Sequence, residues 1–268
     1  MQNLVCRTDA IFHRRDGMIE ERPGYWVIRT PDNPSFWFGN YVLFKQAPQP
    51  GDLSVWQEIF HHEFGDSLNH EVLGWDEPVA GATQQFLDAG YIPSHGLALA
   101  LTAPPANPRI NPALTVRPLQ APSEWDAMVR QQNDIDREDF AYPDDNGLFR
   151  ANQMTAAQRM VDDGHGHWWG AFLGDVLVGG MGLFFDEART IGRFQYVTTA
   201  ARYRRQRVCS TLLDQAVRHA FTAVRPDVLV ISTDADDKNP AIPTYRNFGF
   251  KDAMRSYAFR KVPRPTAP

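Results

Sequence analysis

The chain has 268 residues, 43% hydrophobic and 22% charged, the composition of a folded globular protein with material for two modest cores. Its 27 basic and 32 acidic residues give a net charge of −5, which argues against a dedicated nucleic-acid surface. No apolar run approaches the ~18 residues of a membrane span, and Met1-Gln-Asn-Leu-Val-Cys-Arg-Thr-Asp9 lacks the basic-then-apolar order of a secretory signal. Cys6 and Cys209 lie far apart with no metal or redox spacing, so a reducing, cytoplasmic setting is expected without membrane or nucleic-acid partners.

Along the chain, Trp26–Arg29 and Phe36–Phe44 read as strands. Asp52 can cap a helix whose apolar positions are Leu53, Trp56, Ile59, Phe60 and Phe64. A short strand at Val72-Leu73, a helix Ala80–Ala89 and a strand His95–Leu101 follow. Ala103–Pro112, with four prolines and little apolar content, reads as a linker, which divides the chain into 1–102 and 113–268. Beyond it come a strand Leu114–Leu119 and a helix Ser123–Gln132 with Ser123 as N-cap and Trp125, Met128 and Val129 on one face. After the polar stretch Asn133–Asp145, a second helix is expected near Ala151–Val161. Three strands, His167–Leu173, Val176–Phe185 and Ile191–Thr199, are broken by hairpin turns at Gly174-Asp175 and Asp186-Glu187. Leu212, Leu213, Ala216, Val217, Ala220 and Phe221 recur at helical spacing in Thr211–Val224, and a strand Val228–Ser232, a helix Pro240–Phe248 and a strand Ala253–Arg260 complete the series.

Two segments carry chemistry. In Asn239-Pro-Ala-Ile-Pro-Thr-Tyr245-Arg-Asn-Phe-Gly249-Phe250 a helix opens at an Asn cap with Pro at its first position and closes at a glycine, with a Tyr two turns in. About 35 residues upstream, Arg204-Arg-Gln-Arg207-Val-Cys209-Ser210 is a basic turn at the mouth of a helix. Two strand–turn–helix units in this order resemble the GNAT superfamily of acyl-CoA-dependent N-acyltransferases. The resemblance implies an α/β (α+β) fold with a mixed, mostly antiparallel central sheet flanked by helices. It extends to the first half in shortened form: Phe86-Leu-Asp-Ala-Gly90-Tyr91 overlays Tyr245-Arg-Asn-Phe-Gly249-Phe250, and Asp76 precedes Gly90 much as Asp234 precedes Gly249. The whole then resembles a tandem GNAT protein with a truncated, degenerate N-terminal domain. Phe86 has no hydroxyl, and Gln49-Pro-Gly-Asp52 has no cation, so the active site is expected in the second half.

What the resemblance implies for residues is specific. Acetyl-CoA would be the co-substrate and a small-molecule or peptide amine the acceptor, with a homodimer compatible. The family usually carries Arg/Gln-x-x-Gly-x-Gly/Ala at the diphosphate turn; here Arg204, Arg205, Gln206, Arg207, Val208, Cys209 and Ser210 occupy it, with Arg207 and Cys209 at the glycine positions. A Cβ at Arg207 either turns its side chain away, adding charge near a phosphate, or obstructs the diphosphate. Backbone groups of Val197 and Thr199 would hold the pantetheine arm and polarise the thioester carbonyl, Asn239 would also touch that arm, and Tyr245 would donate its hydroxyl to the departing sulfur. Asp234, Glu138 and Asp139 are the carboxylates available as a base, while Gln195 can orient but not deprotonate. His61-His62, His70 and His165-Gly-His167 lack partners at zinc spacing, so no metal is expected.

Overall fold

A computed structural model describes residues 1–140 and 147–261, and its contacts divide the chain into two compact units. The first comprises Met1–Ala98, Thr233–Asn239 and the chain from Ala253 on; the second comprises Leu99–Ser232 and Pro240–Asp252.

The first unit opens with α1 (Leu4–Asp16), followed by β1 (Met18–Arg22), β2 (Tyr25–Arg29), β3 (Tyr41–Phe44), α2 (Asp52–Phe64), β4 (Glu71–Trp75), α3 (Gln84–Asp88) and β5 (Ile92–Leu101, its last three residues in the second unit). The chain's last strand, β11 (Lys251–Lys261), pairs antiparallel with β4, from Tyr257 opposite Trp75 to Lys261 opposite Glu71. Phe259 stacks on Phe86 at 4.5 Å between ring centroids, and Trp56 stacks on Phe44 at 3.7 Å, so this core is largely aromatic. Four elements differ from the sequence expectation. α1 and β1 were not anticipated, because Leu4–Asp16 is too polar to show a clear apolar stripe. The segment Phe36–Phe44 is a 3₁₀ turn, Trp37–Gly39, before β3, and the helix expected over Ala80–Ala89 is confined to Gln84–Asp88.

The second unit contains β6 (Thr115–Pro118), α4 (Pro122–Ile135), α5 (Leu148–Asp162), β7 (Gly166–Leu173), β8 (Val176–Phe185), β9 (Ile191–Thr199), α6 (Val208–His219), β10 (Val228–Asp234, its last two residues in the first unit) and α7 (Ala241–Phe248). Its strands lie in the order β10-β9-β8-β7-β6, parallel between β10 and β9 and antiparallel elsewhere. Glycines on β8 let the helices close on the sheet. A Cβ at Gly180 would stand 2.2 Å from Met128 Cε of α4, and one at Gly179 would stand 2.8 Å from Val208 Cγ1 of α6. α6 begins three residues earlier than its periodicity suggested and runs into a π-helical turn, Ala220–Val224.

α4 is not capped by Ser123. Ala121 is the cap residue, Pro122 takes the first helical position, and Glu124 Oε2 accepts from the amides of Gln120 (2.7 Å) and Ala121 (3.3 Å). Arg117 holds the same carboxylate with two bonds, at 2.6 and 3.1 Å. That pairing, reinforced by the two amides, holds Glu124 down to about 2 from its ordinary 4.5. A carboxylate depressed by folding adds stability above its unfolded value and loses it as it is protonated in the folded state. Glu124→Gln is therefore expected to flatten the fall in stability between pH 4.5 and about 2, as read from urea unfolding across that range.

Candidate active site

The site region starts from a defect in β9. Against β8, Gly180 faces Thr198 while Gly182 faces Gln195, so Met181 alone opposes Tyr196 and Val197. This is a β-bulge, and Tyr196 takes a positive φ of 47° to make it. On the opposite side, the parallel register with β10 runs only from Ile191 to Arg193, opposite Val228 to Val230, whereas pairing with β8 continues to Thr199. From Phe194 onward the two parallel strands part. Val197 and Thr199 lie on this parted stretch, half-buried, and Gln195 sits there as well. A strand edge outside a ladder offers backbone donors and acceptors to an extended ligand arm.

The chain leaves β9 through a 3₁₀ turn, Ala201–Tyr203, and enters α6 through Arg204–Arg207. Arg207 adopts φ 63°, ψ 23°, the left-handed conformation that glycine favours, and Arg205 has φ 61°. The conformation costs a side-chain-bearing residue about 1–2 kcal/mol. Arg207 Nη1 reaches toward Ile110 O at 3.5 Å, so the side chain leans to the segment Arg109–Asn111 of the same unit. No side chain caps α6, and its first-turn amides at Val208, Cys209 and Ser210 carry the positive end of the helix dipole. Arg202, Arg204, Arg205 and Arg207 are exposed around it, and Arg204 Nε reaches Thr199 O at 3.4 Å, tying the turn to the end of β9. A diphosphate suits this donor set: unpaired amides, a left-handed turn and arginines in a chain of net negative charge.

Tyr245 lies in α7, 6% exposed, with its ring edge-on to Phe250 at 6.3 Å. Burial, with a smaller contribution from nearby Cys209, raises its hydroxyl well above the usual phenol value, so it stays protonated at neutral pH. The Tyr245 hydroxyl makes no hydrogen bond among the described residues. Burial also pushes the Cys209 thiol up to about 12, which removes the thiolate a nucleophile needs. Asn239 and Asp234 come together in the first unit: Asn239 Nδ2 donates to Asp234 O and to Thr233 Oγ1, both at 2.8 Å. Asp234 is exposed, and its Oδ1 accepts from the Asp236 amide at 3.2 Å. Glu138 is exposed on the π-helical turn Asp136–Phe140, and Asp139 follows it on the same turn.

One cluster escaped sequence reasoning. Arg150 of α5 grips Asp136 with two bonds at 2.5 and 2.6 Å, donates to Gln153 Oε1 at 2.7 Å, and covers the Tyr196 ring at 4.9 Å. Gln153 Nε2 in turn donates to the Tyr196 hydroxyl. Together they brace the strained bulge residue from the helix side. Opposite charges 14 residues apart carry no local signal of this, since only tertiary packing brings them face to face.

The turn at the start of α2 in the first unit contrasts with that of α6. Gln85 Oε1 accepts from the amides of Gly51 (3.0 Å) and Leu53 (3.4 Å), so a side chain of the same unit already serves that helix end. β3 and β4 pair from Val42 opposite Leu73 to Phe44 opposite Trp75 without parting. Asp76 is occupied in accepting from the amides of Gln2 and Asn3, at 2.5 and 3.0 Å.

Comparison with known proteins agrees with this architecture. Among solved structures, a functionally unknown conserved protein from Staphylococcus epidermidis has a TM-score of 0.67 at 12% identity, with 93% of this chain and 96% of that one covered. A GCN5-related N-acetyltransferase from Kribbella flavida gives 0.64 at 14% identity, with 100% and 98% covered. A tandem GNAT protein from the clavulanic acid biosynthesis pathway gives 0.53 at 14% identity, with 92% and 86% covered. At such identities the likeness is one of fold, the mixed α/β arrangement of GNAT proteins with mostly antiparallel sheet flanked by helices. Residues 129–250 match the family model described as Acetyltransferase (GNAT) family. No curated protein matches the chain. Among the described residues no helix is long and apolar enough to cross a membrane, and no group of three or more His, Cys, Asp or Glu could hold a metal.

The left-handed turn gives a direct test of its own strain. Arg207→Gly is expected to raise the unfolding free energy by about 1 kcal/mol, and the β-branched Arg207→Val to lower it by at least as much, measured by urea unfolding.

Proposed function

We propose that this protein transfers an acetyl group from acetyl-CoA to a primary amine, in a small molecule or a peptide, by direct attack in a ternary complex. The observation that carries the reading is the parting of β9 from β10 beside an uncapped, arginine-flanked α6 N-terminus. In this reading the amides of Val208, Cys209 and Ser210, with Arg204, Arg205, Gln206 and Arg207 around them, hold the diphosphate. Backbone groups of Val197 and Thr199 hold the pantetheine arm and polarise the thioester carbonyl, with Asn239 assisting on that arm. The thioester supplies the activated acyl group. Tyr245, kept protonated by burial, donates its proton to the departing sulfur.

Direct attack is favoured over an acyl-enzyme because the Cys209 thiol near Tyr245 is protonated at neutral pH. Asp234 is the carboxylate we nominate to take the amine's proton, through solvent in view of its exposure. The first-unit contrasts support reading residues 1–102 as a degenerate GNAT-like domain, joined by the linker 103–112 to a catalytic domain 113–268. There Gln85 occupies the helix end, and Phe86 stands where Tyr245 does.

Calorimetry with acetyl-CoA, beside a thiol-release assay over a panel of amines, tests the proposal. Tyr245→Phe is expected to lower kcat about a hundredfold or more while the acetyl-CoA dissociation constant changes little. Arg204→Ala is expected to weaken acetyl-CoA binding. Absence of acetyl-CoA binding by the wild type would replace this reading with a catalytically silent GNAT-like module.

A further inference from the structure

The segment between the two sequence halves is bonded into the turn that opens α6. Asn111 Nδ2 donates to Gln206 O at 3.0 Å, and the Asn111 amide donates to Thr211 Oγ1 at 2.9 Å. Thr211 Oγ1 in turn donates a hydrogen bond to Arg207 O at 2.7 Å. Ser210 Oγ donates to Arg109 O at 2.6 Å, and Arg207 Nη1 approaches Ile110 O. Three consecutive linker residues thus meet Gln206, Arg207, Ser210 and Thr211, close to a hundred positions away in sequence. Pro108 and Pro112 bracket the trio, each fixing φ and removing an amide, so the strap is stiff where it touches. Asn111 Oδ1 is also engaged, accepting from the Ala113 amide at 3.0 Å, which locks the side chain in the orientation that aims Nδ2 at Gln206.

The bond to Gln206 O has a consequence across one peptide plane. A trans peptide points its C=O and N–H to opposite sides. Holding the Gln206 carbonyl toward the strap turns the Arg207 amide away from it. The chain through Thr211 does the same to the Arg207 carbonyl, and hence to the Val208 amide. These are the donors that lead into the uncapped first turn of α6, and they sit on the residue whose left-handed backbone is intrinsically unfavourable. Without an outside tether, an arginine at this position would relax toward negative φ and swing both amides.

We infer that Asn111 is a positioning residue for cofactor binding: the inter-half linker acts as a strap that fixes the diphosphate-binding amides of the α6 turn and lets an arginine replace the usual glycine at 207. The inference rests on the proposal that acetyl-CoA binds at this turn.

The test is calorimetry with acetyl-CoA and steady-state kinetics on the full chain, comparing wild type with Asn111→Ala, Asn111→Asp, Thr211→Val and Thr211→Ser. Loss of one such hydrogen bond is expected to raise the acetyl-CoA dissociation constant and KM about tenfold in Asn111→Ala and Thr211→Val. kcat at saturation and the thermal midpoint should stay near wild type, which a general loss of fold would not allow. Asn111→Asp should be worse than Ala, because it sets a carboxylate oxygen against the Gln206 carbonyl, and Thr211→Ser should restore binding. Binding within twofold of wild type in both Asn111→Ala and Thr211→Val would overturn the strap while leaving the acyltransferase reading intact. A wild type that does not bind acetyl-CoA would overturn both.

Discussion

The arrangement of the second unit depends on β9 serving two neighbours unequally. It stays paired with β8 to its end, through a bulge at Tyr196-Val197, but with β10 for three residues only. A parallel pair that parts leaves main-chain groups without ladder partners, and such groups are expensive to bury unless something else bonds them. The Arg150–Asp136–Gln153 cluster holding the Tyr196 ring keeps the bulge from relaxing into regular strand.

The first unit reaches the opposite solution with related parts. Its parallel pair does not part, its helix end is served by Gln85, and its aromatic core closes around Phe86 and Phe259. The Gly51 and Leu53 amides and the Asp76 carboxylate already have partners within the unit's own chain. Retention of open, unsatisfied groups in the second unit is the feature that calls for a functional explanation.

The α6 turn shows how a fold tolerates a sequence departure. Where a glycine would take a left-handed φ without strain, Arg207 takes it with its neighbours bonded to the segment Arg109–Asn111. The departure from the family pattern therefore changes side-chain chemistry while the backbone conformation persists. The side chain leans toward the segment Arg109–Asn111, with Arg207 Nη1 3.5 Å from Ile110 O.

Much of the second unit was legible from the residues. Strands β8 and β9, the two hairpin turns and the α6 face all follow from local periodicity and turn chemistry, which need only neighbours in sequence. So did the Gly249 ending of α7, whereas its start differs from the sequence reading: Pro240 is the cap residue and the helix begins at Ala241. Polar α1 was not legible, because its place is set by contacts such as the Asn3 and Gln2 amides on Asp76, over seventy residues away. The role of β11 in the first unit, the length of the β9–β10 pairing, the Arg150 cluster and the linker strap are likewise invisible to any window of sequence. Each depends on which distant groups meet, and only the folded chain decides that.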